Sequence, residues 1–159
     1  MFKQRLIPKL QMKATSFGFS KRMVLVTTVN FREVLEIGDP VSQAKIYQAQ
    51  FADELVFLDI DASAENRKTV VEVIRKAAQE IFMPITVGGG VRSVADFREL
   101  LSNGADKVSV NSAAVLNPPL ITEGARAFGS QCIVLGMDVK RVEPSRAIPS
   151  GYEIVIHGG

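Results

Sequence analysis

Short apolar runs alternate along the chain with helical patterns, and this alternation restricts the fold to the α/β class. The runs are residues 5–12 (RLIPKLQM), 54–60 (ELVFLDI), 84–87 (PITV), 107–110 (KVSV) and 132–138 (CIVLGMD). Their interiors are continuous rather than alternating in polarity, the pattern of strands covered on both faces in a parallel sheet. Residues 40–49 follow Asp39, an N-cap residue with a proline just inside the first turn. Residues 66–81 place Val70, Val73, Ile74, Ala77 and Ile81 on one helical face. Residues 94–101 follow the cap Ser93, and residues 118–128 follow Asn117 and stop at Gly129. The units between the second and fourth strands repeat roughly every 25 residues, as βα units with right-handed crossovers do. An open doubly wound sheet and a (β/α)8 barrel both begin this way, and periodicity does not separate them.

Two connections break the rhythm. Residues 13–37 hold a short hairpin with MVLVTTV as one arm, and residues 140–159 contain Pro144, Pro149 and Gly151 before YEIVI begins another strand. A barrel takes about 250 residues, whereas 159 residues hold five strands. A sheet halted there leaves an unpaired edge. The expectation is one domain, residues 1–159, forming the N-terminal part of a longer barrel.

Composition narrows the functional classes. An apolar fraction of 47% and a charged fraction of 23% exclude disordered and collagen-like chains. The net charge is +2, from 19 basic and 17 acidic residues. The one basic cluster, Lys9, Lys13, Lys21 and Arg22, is interrupted by Phe17 and Phe19, so it reads as a solvated loop and no nucleic-acid partner is expected. Cys132 is the sole cysteine and reads as a small buried hydrophobe in a reducing compartment. With no run near 18 apolar residues and no signal-peptide pattern in MFKQRLIPKL, a cytoplasmic protein without a membrane partner is expected. No cofactor or metal is expected, because His157 is badly placed and carboxylates alone would have to bind the ion.

In α/β proteins chemistry gathers beyond the carboxyl ends of the strands. Those positions carry Gln11 and Lys13, then Asp59 and Asp61, then Gly88, Gly89 and Gly90, then Asn111 and Ser112, then Asp138 and Lys140. Three consecutive glycines cost backbone entropy on folding. Either the chain turns sharply against its neighbours there, or a ligand touches its backbone. GGG is neither GxGxxG nor a P-loop, but exposed N–H groups near helix starts hold a phosphate without a lysine. Asp138 is the candidate for proton transfer, because an unbroken strand is expected to fix it. Asp61 reads as a cap on its own loop, and Asp59 either holds a donor or is satisfied by neighbouring amides. At the other strand ends stand Arg5, Glu54 and Lys107. They form either a ring facing into a barrel mouth or ordinary salt bridges along the strand edges.

The ordered motifs RLIP (5–8), GDPV (38–41), DELVFLDIDAS (53–63), ITVGGGVRS (85–93), GADKVSVNSAAV (104–115), NPPLI (117–121), FGSQ (128–131) and MDVKR (137–141) carry a resemblance. The chain resembles the cyclase subunits of imidazole glycerol phosphate synthase and their relatives in surface-polysaccharide biosynthesis. The resemblance implies a (β/α)8 barrel of two similar halves, each with a phosphate site. A separate glutaminase would supply ammonia through the barrel. The acceptor would be a ribulosyl aminoimidazole carboxamide nucleotide, giving imidazole glycerol phosphate and aminoimidazole carboxamide ribotide. Carried over by motif, Asp138 is similar to one of two catalytic aspartates. Gly89, Gly90, Asn111, Ser112, Asp59 and Lys13 form the implied substrate and phosphate set. Arg5, Glu54 and Lys107 resemble the gate through which ammonia enters.

The first loop departs from that pattern. Where the family has Cys-Leu-Asp-Val-Lys, this chain has Lys9, Leu10, Gln11, Met12 and Lys13. Gln11 replaces the other catalytic aspartate; it hydrogen-bonds but does not accept a proton as a carboxylate does. Counting back from Asn30 and Phe31, Thr27 takes the place of the family's loop lysine. The departures and LDIDAS resemble the polysaccharide relatives, which use ammonia to turn an acetamido group on a sugar nucleotide into an amidine. A silent phosphate-binding scaffold or glutaminase activator is the non-enzymatic alternative. The chain has no internal Cys–His nucleophile pair, since Cys132 lies in an apolar run and His157 is near the terminus.

Overall fold

The computed structural model describes residues 4–18, 20–29, 33–62 and 67–156. Phe19, Asn30, Phe31, Ser63, Asn66 and His157, all discussed above, lie outside them.

A seven-stranded sheet forms the body of the structure. Its parallel part consists of β1 (Lys9–Phe17), β4 (Leu55–Asp59), β5 (Ile85–Gly88), β6 (Lys107–Val110) and β7 (Ile133–Leu135). These strands lie side by side in chain order. Doubly wound sheets reverse their strand order at a switch point, whereas a barrel advances in one sense. The observed order is that of a partial (β/α)8 barrel, which settles the alternative left open by periodicity.

On the far side of β1 the sheet continues antiparallel through β2 (Ser20–Val29) and β3 (Glu33–Gly38). The hairpin expected in residues 13–37 is therefore present, but its first arm is β1 itself. The first strand was expected at 5–12 and runs instead from Lys9 to Phe17. Pro8 has no N–H to give a ladder, though its carbonyl accepts from Val56 N at 2.9 Å. Beyond Met12 the strand is held by β2, with Lys13 opposite Val24 and Phe17 opposite Ser20.

Alternation sorts the side chains of the parallel strands. Leu10, Met12, Leu55, Phe57, Val108 and Val110 share one core with Val70, Ile74, Phe97, Leu100 and Leu120 of the helices. Gln11, Val56, Leu58, Lys107 and Ser109 alternate with them and are half-buried. Helices seal one face of these strands; the other is half-buried in β1, β4 and β6 and fully buried in β5, where Ile85, Thr86, Val87 and Gly88 are all covered.

The helices begin where their caps stand. Asp39 caps α1 (Pro40–Ala49), accepting from Ser42 N at 2.8 Å, with Pro40 in the first turn. Helix α2 (Arg67–Glu80) buries Val70, Val71, Ile74 and Ala77 along one face. Helix α3 (Val94–Ser102) carries a reciprocal cap: Ser93 Oγ accepts from Asp96 N at 3.2 Å, and Asp96 Oδ2 accepts from Ser93 N at 2.9 Å. Ser93→Ala removes the acceptor for Asp96 N, so the protein is expected to lose about 1 kcal/mol. Thermal unfolding checks this as a fall of about 2–4 °C in Tm for a chain of this size.

After β6 a short helix, α4 (Ser112–Leu116), precedes α5 (Pro119–Phe128), where the sequence pattern shows only the second. The fifth strand, expected at 132–138, is cut to β7 by Gly136 and Met137. Asp138 instead opens a separate hairpin of β8 (Asp138–Arg141) and β9 (Tyr152–Val155). YEIVI is therefore the return arm of an excursion and not a further barrel strand. Among the described residues no helix is long and apolar enough to cross a membrane.

Candidate active site

The glycine triplet lies at the carboxyl end of β5; packing is tight at Gly88 and admits no side chain at Gly89. A Cβ on Gly88 would stand 3.0 Å from the Ser109 Cβ. Gly89 has φ +101, and a Cβ there would stand 2.1 Å from the carbonyl oxygen of Asp59, inside van der Waals contact. Gly90 follows at φ +63 and turns the chain toward α3. The tight turn is thus real, and it sits on the rim where the other polar strand ends converge.

On the next strand, Val110 and Leu135 are register partners, and Gly136 N donates to Val110 O at 2.9 Å. This brings the residues after β6 beside those after β7. Asn111 Nδ2 donates to Asp138 Oδ2 at 2.7 Å, joining two candidate residues that lie 27 positions apart. The Asn111 carbonyl accepts from Ala114 N at 2.8 Å and Val115 N at 3.2 Å, which anchors it at the start of α4, where Ser112 is the first residue. Asn111 Oδ1 is buried with no hydrogen-bond partner among the described residues. Asp138 is exposed, and the unbroken strand expected to fix it is absent.

Gln11 and Lys13 both lie within β1, rather than in a loop beyond it. Gln11 is opposite Leu58, on the half-buried face of the sheet. Lys13 Nζ lies 3.8 Å from Asp61 Oδ2, a half-exposed ion pair at the same rim. Thr27 is an exposed residue of β2 opposite Leu35, away from the parallel strand ends.

Asp59 corrects an expectation. It is the register partner of Met12 and shares the helix-facing parity of Leu55 and Phe57, so it does not stand on the face that carries Gln11. Only 5% exposed, it accepts from Asp61 N at 3.0 Å, and its carbonyl lies directly against Gly89. Its place is that of a brace beneath the glycine turn.

At the opposite strand ends Arg5, Glu54 and Lys107 meet. Glu54 is 7% exposed; its Oε1 accepts from Arg5 Nη1 and its Oε2 from Lys107 Nζ at 2.6 Å. A buried carboxylate is costly unless paired, and here two cations share it. A second clip reinforces this end: Leu6 N donates to Asp53 Oδ2 at 2.8 Å and Asp53 N to Leu6 O at 2.9 Å.

Two features escaped the sequence. Phe51 is 90% exposed and Phe82 94%, in the connections leading into β4 and β5, and both therefore lie at the Glu54 end. Aromatic residues read as core, and only the connection geometry puts them outside. Ser109 stands beneath Asn111 on the half-buried face, with Oγ 3.1 Å from where a Cβ of Gly136 would be. Counting by twos from Val108 finds it.

Residues 16–159 match the family of histidine biosynthesis proteins, and the chain belongs to that family of (β/α)8 barrels. Within it, the chain is 58% identical over 131 residues to the imidazole glycerol phosphate synthase subunit HisF of Syntrophobacter fumaroxidans, covering 82% of this chain and 51% of that protein. It is 51% identical over 159 residues to the subunit of the same name from Solidesulfovibrio magneticus, covering all of this chain and 58% of that protein. The chain spans about half the length of the curated relatives it matches.

Proposed function

We propose that this chain is the N-terminal part of a barrel synthase subunit that uses ammonia from a separate glutaminase. The acceptor is the ribulosyl aminoimidazole carboxamide nucleotide, and the products are imidazole glycerol phosphate and aminoimidazole carboxamide ribotide. One observation carries the reading: the Arg5–Glu54–Lys107 cluster and the polar rim of Gln11, Gly90, Asn111 and Asp138 occupy opposite ends of the same parallel strands. Ammonia enters between the paired charges and travels along the strands toward the rim. The substrate phosphate rests against the backbone at Gly89 and Gly90, in the turn after β5, and at Asn111 and Ser112, where α4 begins. Asp138 takes up a proton from the reacting nitrogen. Gln11 holds the substrate by hydrogen bonds and leaves the carboxylate chemistry to Asp138. The glutaminase docks at the Glu54 end, where exposed Phe51 and Phe82 offer apolar contact beside the charged entrance. The protein works in the cytoplasm, without cofactor or metal.

A second reading is favoured by Gln11 and Thr27, which by the resemblance replace an aspartate and a lysine of the family: the nitrogen goes to an acetamido sugar nucleotide. One assay separates the two. The full-length protein is supplied with ammonium salt and either acceptor, then with glutamine and the partner. Turnover of the imidazole precursor, followed by absorbance, is the expected result. In that assay Glu54→Ala is expected to lower glutamine-driven turnover at least about tenfold, through loss of an ion cluster at the entrance, while ammonium-driven turnover falls less. Turnover of the sugar nucleotide alone establishes the second reading. Turnover of neither, with phosphate-competable binding retained, leaves a scaffold and overturns both.

A further inference from the structure

We propose that Asn111 is a positioning residue for Asp138: it ties an otherwise loosely held carboxylate to the rim of the parallel sheet. The inference deepens the reading above, on which Asp138 handles the proton.

The need for such a tie follows from the break after β7. The last ladder contact of that strand is Gly136 N to Val110 O at 2.9 Å, and Asp138 lies beyond it. Among the described residues, β8 pairs with β9 alone, in a two-stranded sheet separate from the main one. An isolated hairpin is marginally stable, so β8 by itself does not hold a side chain to the tolerance that proton transfer demands.

Asn111 has what Asp138 lacks. Its backbone directly follows β6, between Val110 in the ladder and the first turn of α4, and its carbonyl accepts from Ala114 N and Val115 N. Its side chain makes no capping bond to the helix; it reaches across to Asp138 Oδ2 at 2.7 Å. An ionised carboxylate only accepts, so the amide must present its NH2 end to Asp138. This fixes the orientation of the amide and leaves Oδ1 as the buried end without a partner among the described residues. An aspartate at this position would set two carboxylates against each other; an alanine would free the hairpin.

Hydrogen exchange and kinetics test the proposal in the full-length protein. In Asn111→Ala, amides of the β8–β9 hairpin are expected to exchange about tenfold faster, as a locally loosened unit does, while those of β4, β5 and β6 do not change. Unchanged hairpin exchange overturns the proposal. For turnover, kcat is expected to fall about 10²-fold, the scale of a misplaced reacting group, with KM within about twofold of the parent. A raised KM with kcat intact means that Asn111 only holds the phosphate, and it also overturns the proposal. Combining Asn111→Ala with Asp138→Asn should lower kcat no further than Asp138→Asn alone, because both changes remove one function. Asn111→Asp retains the side-chain shape and should be at least as slow as Asn111→Ala. If the parent shows no turnover, the proposed reaction fails, and hairpin exchange still decides the role of Asn111.

Discussion

Asp138→Asn is expected to lower ammonium-driven turnover by about 10²- to 10⁴-fold, the range for loss of a general acid–base group. Stability should stay within about 0.5 kcal/mol of the parent, as it does for exposed positions. The two effects separate because the replacement is nearly isosteric. Asp138 is exposed and takes one described hydrogen bond, from Asn111 Nδ2. The asparagine carbonyl can accept the same bond, so the hairpin keeps its tether while the proton acceptor disappears. With Gln11 in β1, that strand holds no carboxylate to take over. Steady-state kinetics beside a denaturation curve checks both parts. A variant that retains parental kcat would remove Asp138 from the reaction.

Gly89→Ala is expected to act in the opposite way, through folding. Two costs combine at this residue. A side chain at φ +101 occupies a region that costs roughly 1–3 kcal/mol for non-glycine residues. The new Cβ would also lie 2.1 Å from the Asp59 carbonyl oxygen, and overpacking of that kind costs about 1–3 kcal/mol. The obstacle is main chain rather than a flexible side-chain tip, so relief requires β4 and β5 to shift against each other. A total of roughly 2–6 kcal/mol follows from the two. Gly18→Ala supplies the control: its φ is +61 but nothing lies within 4 Å of the new Cβ. Only the conformational part, about 1–2 kcal/mol, is expected there. Urea denaturation of both variants measures the difference; equal losses would mean that contact with Asp59 contributes nothing.

Much of the framework was legible because local signals agreed with one another. PITVGGG reads as a strand and a turn, and β5 with its glycine rim falls there. Asp39 with Pro40, and Ser93 with Asp96, mark their helix starts by chemistry that acts within a few residues. Arg5, Glu54 and Lys107 were legible as a group because each stands where an apolar run begins, so parallel pairing alone brings them together.

Boundaries set by distant partners were not legible in the same way. KATSF extends β1 only because β2 folds back alongside it. CIVLGMD looks like one continuous strand, yet the ladder ends at Leu135 and Gly136 sits where a Cβ would crowd Ser109. The Asn111–Asp138 bond depends on that break, and no spacing rule reveals it. The side of the sheet that Asp59 occupies depends on a register with Met12 that becomes visible only once the strands are aligned.

The meander on the far side of β1 has a consequence for how the sheet grows. From Met12 to Phe17 the outer hydrogen-bonding flank of β1 is occupied by β2. Lys9, Leu10 and Gln11 pair with β4 on the other flank and lie below that occupied stretch. Any strand arriving to close the cylinder at β1 therefore finds the Met12–Phe17 stretch already taken and pairs at the Lys9–Gln11 level or below it. The seam of a closed barrel would be stitched from below, with the hairpin rising above it as a flap attached to the same strand that carries Gln11.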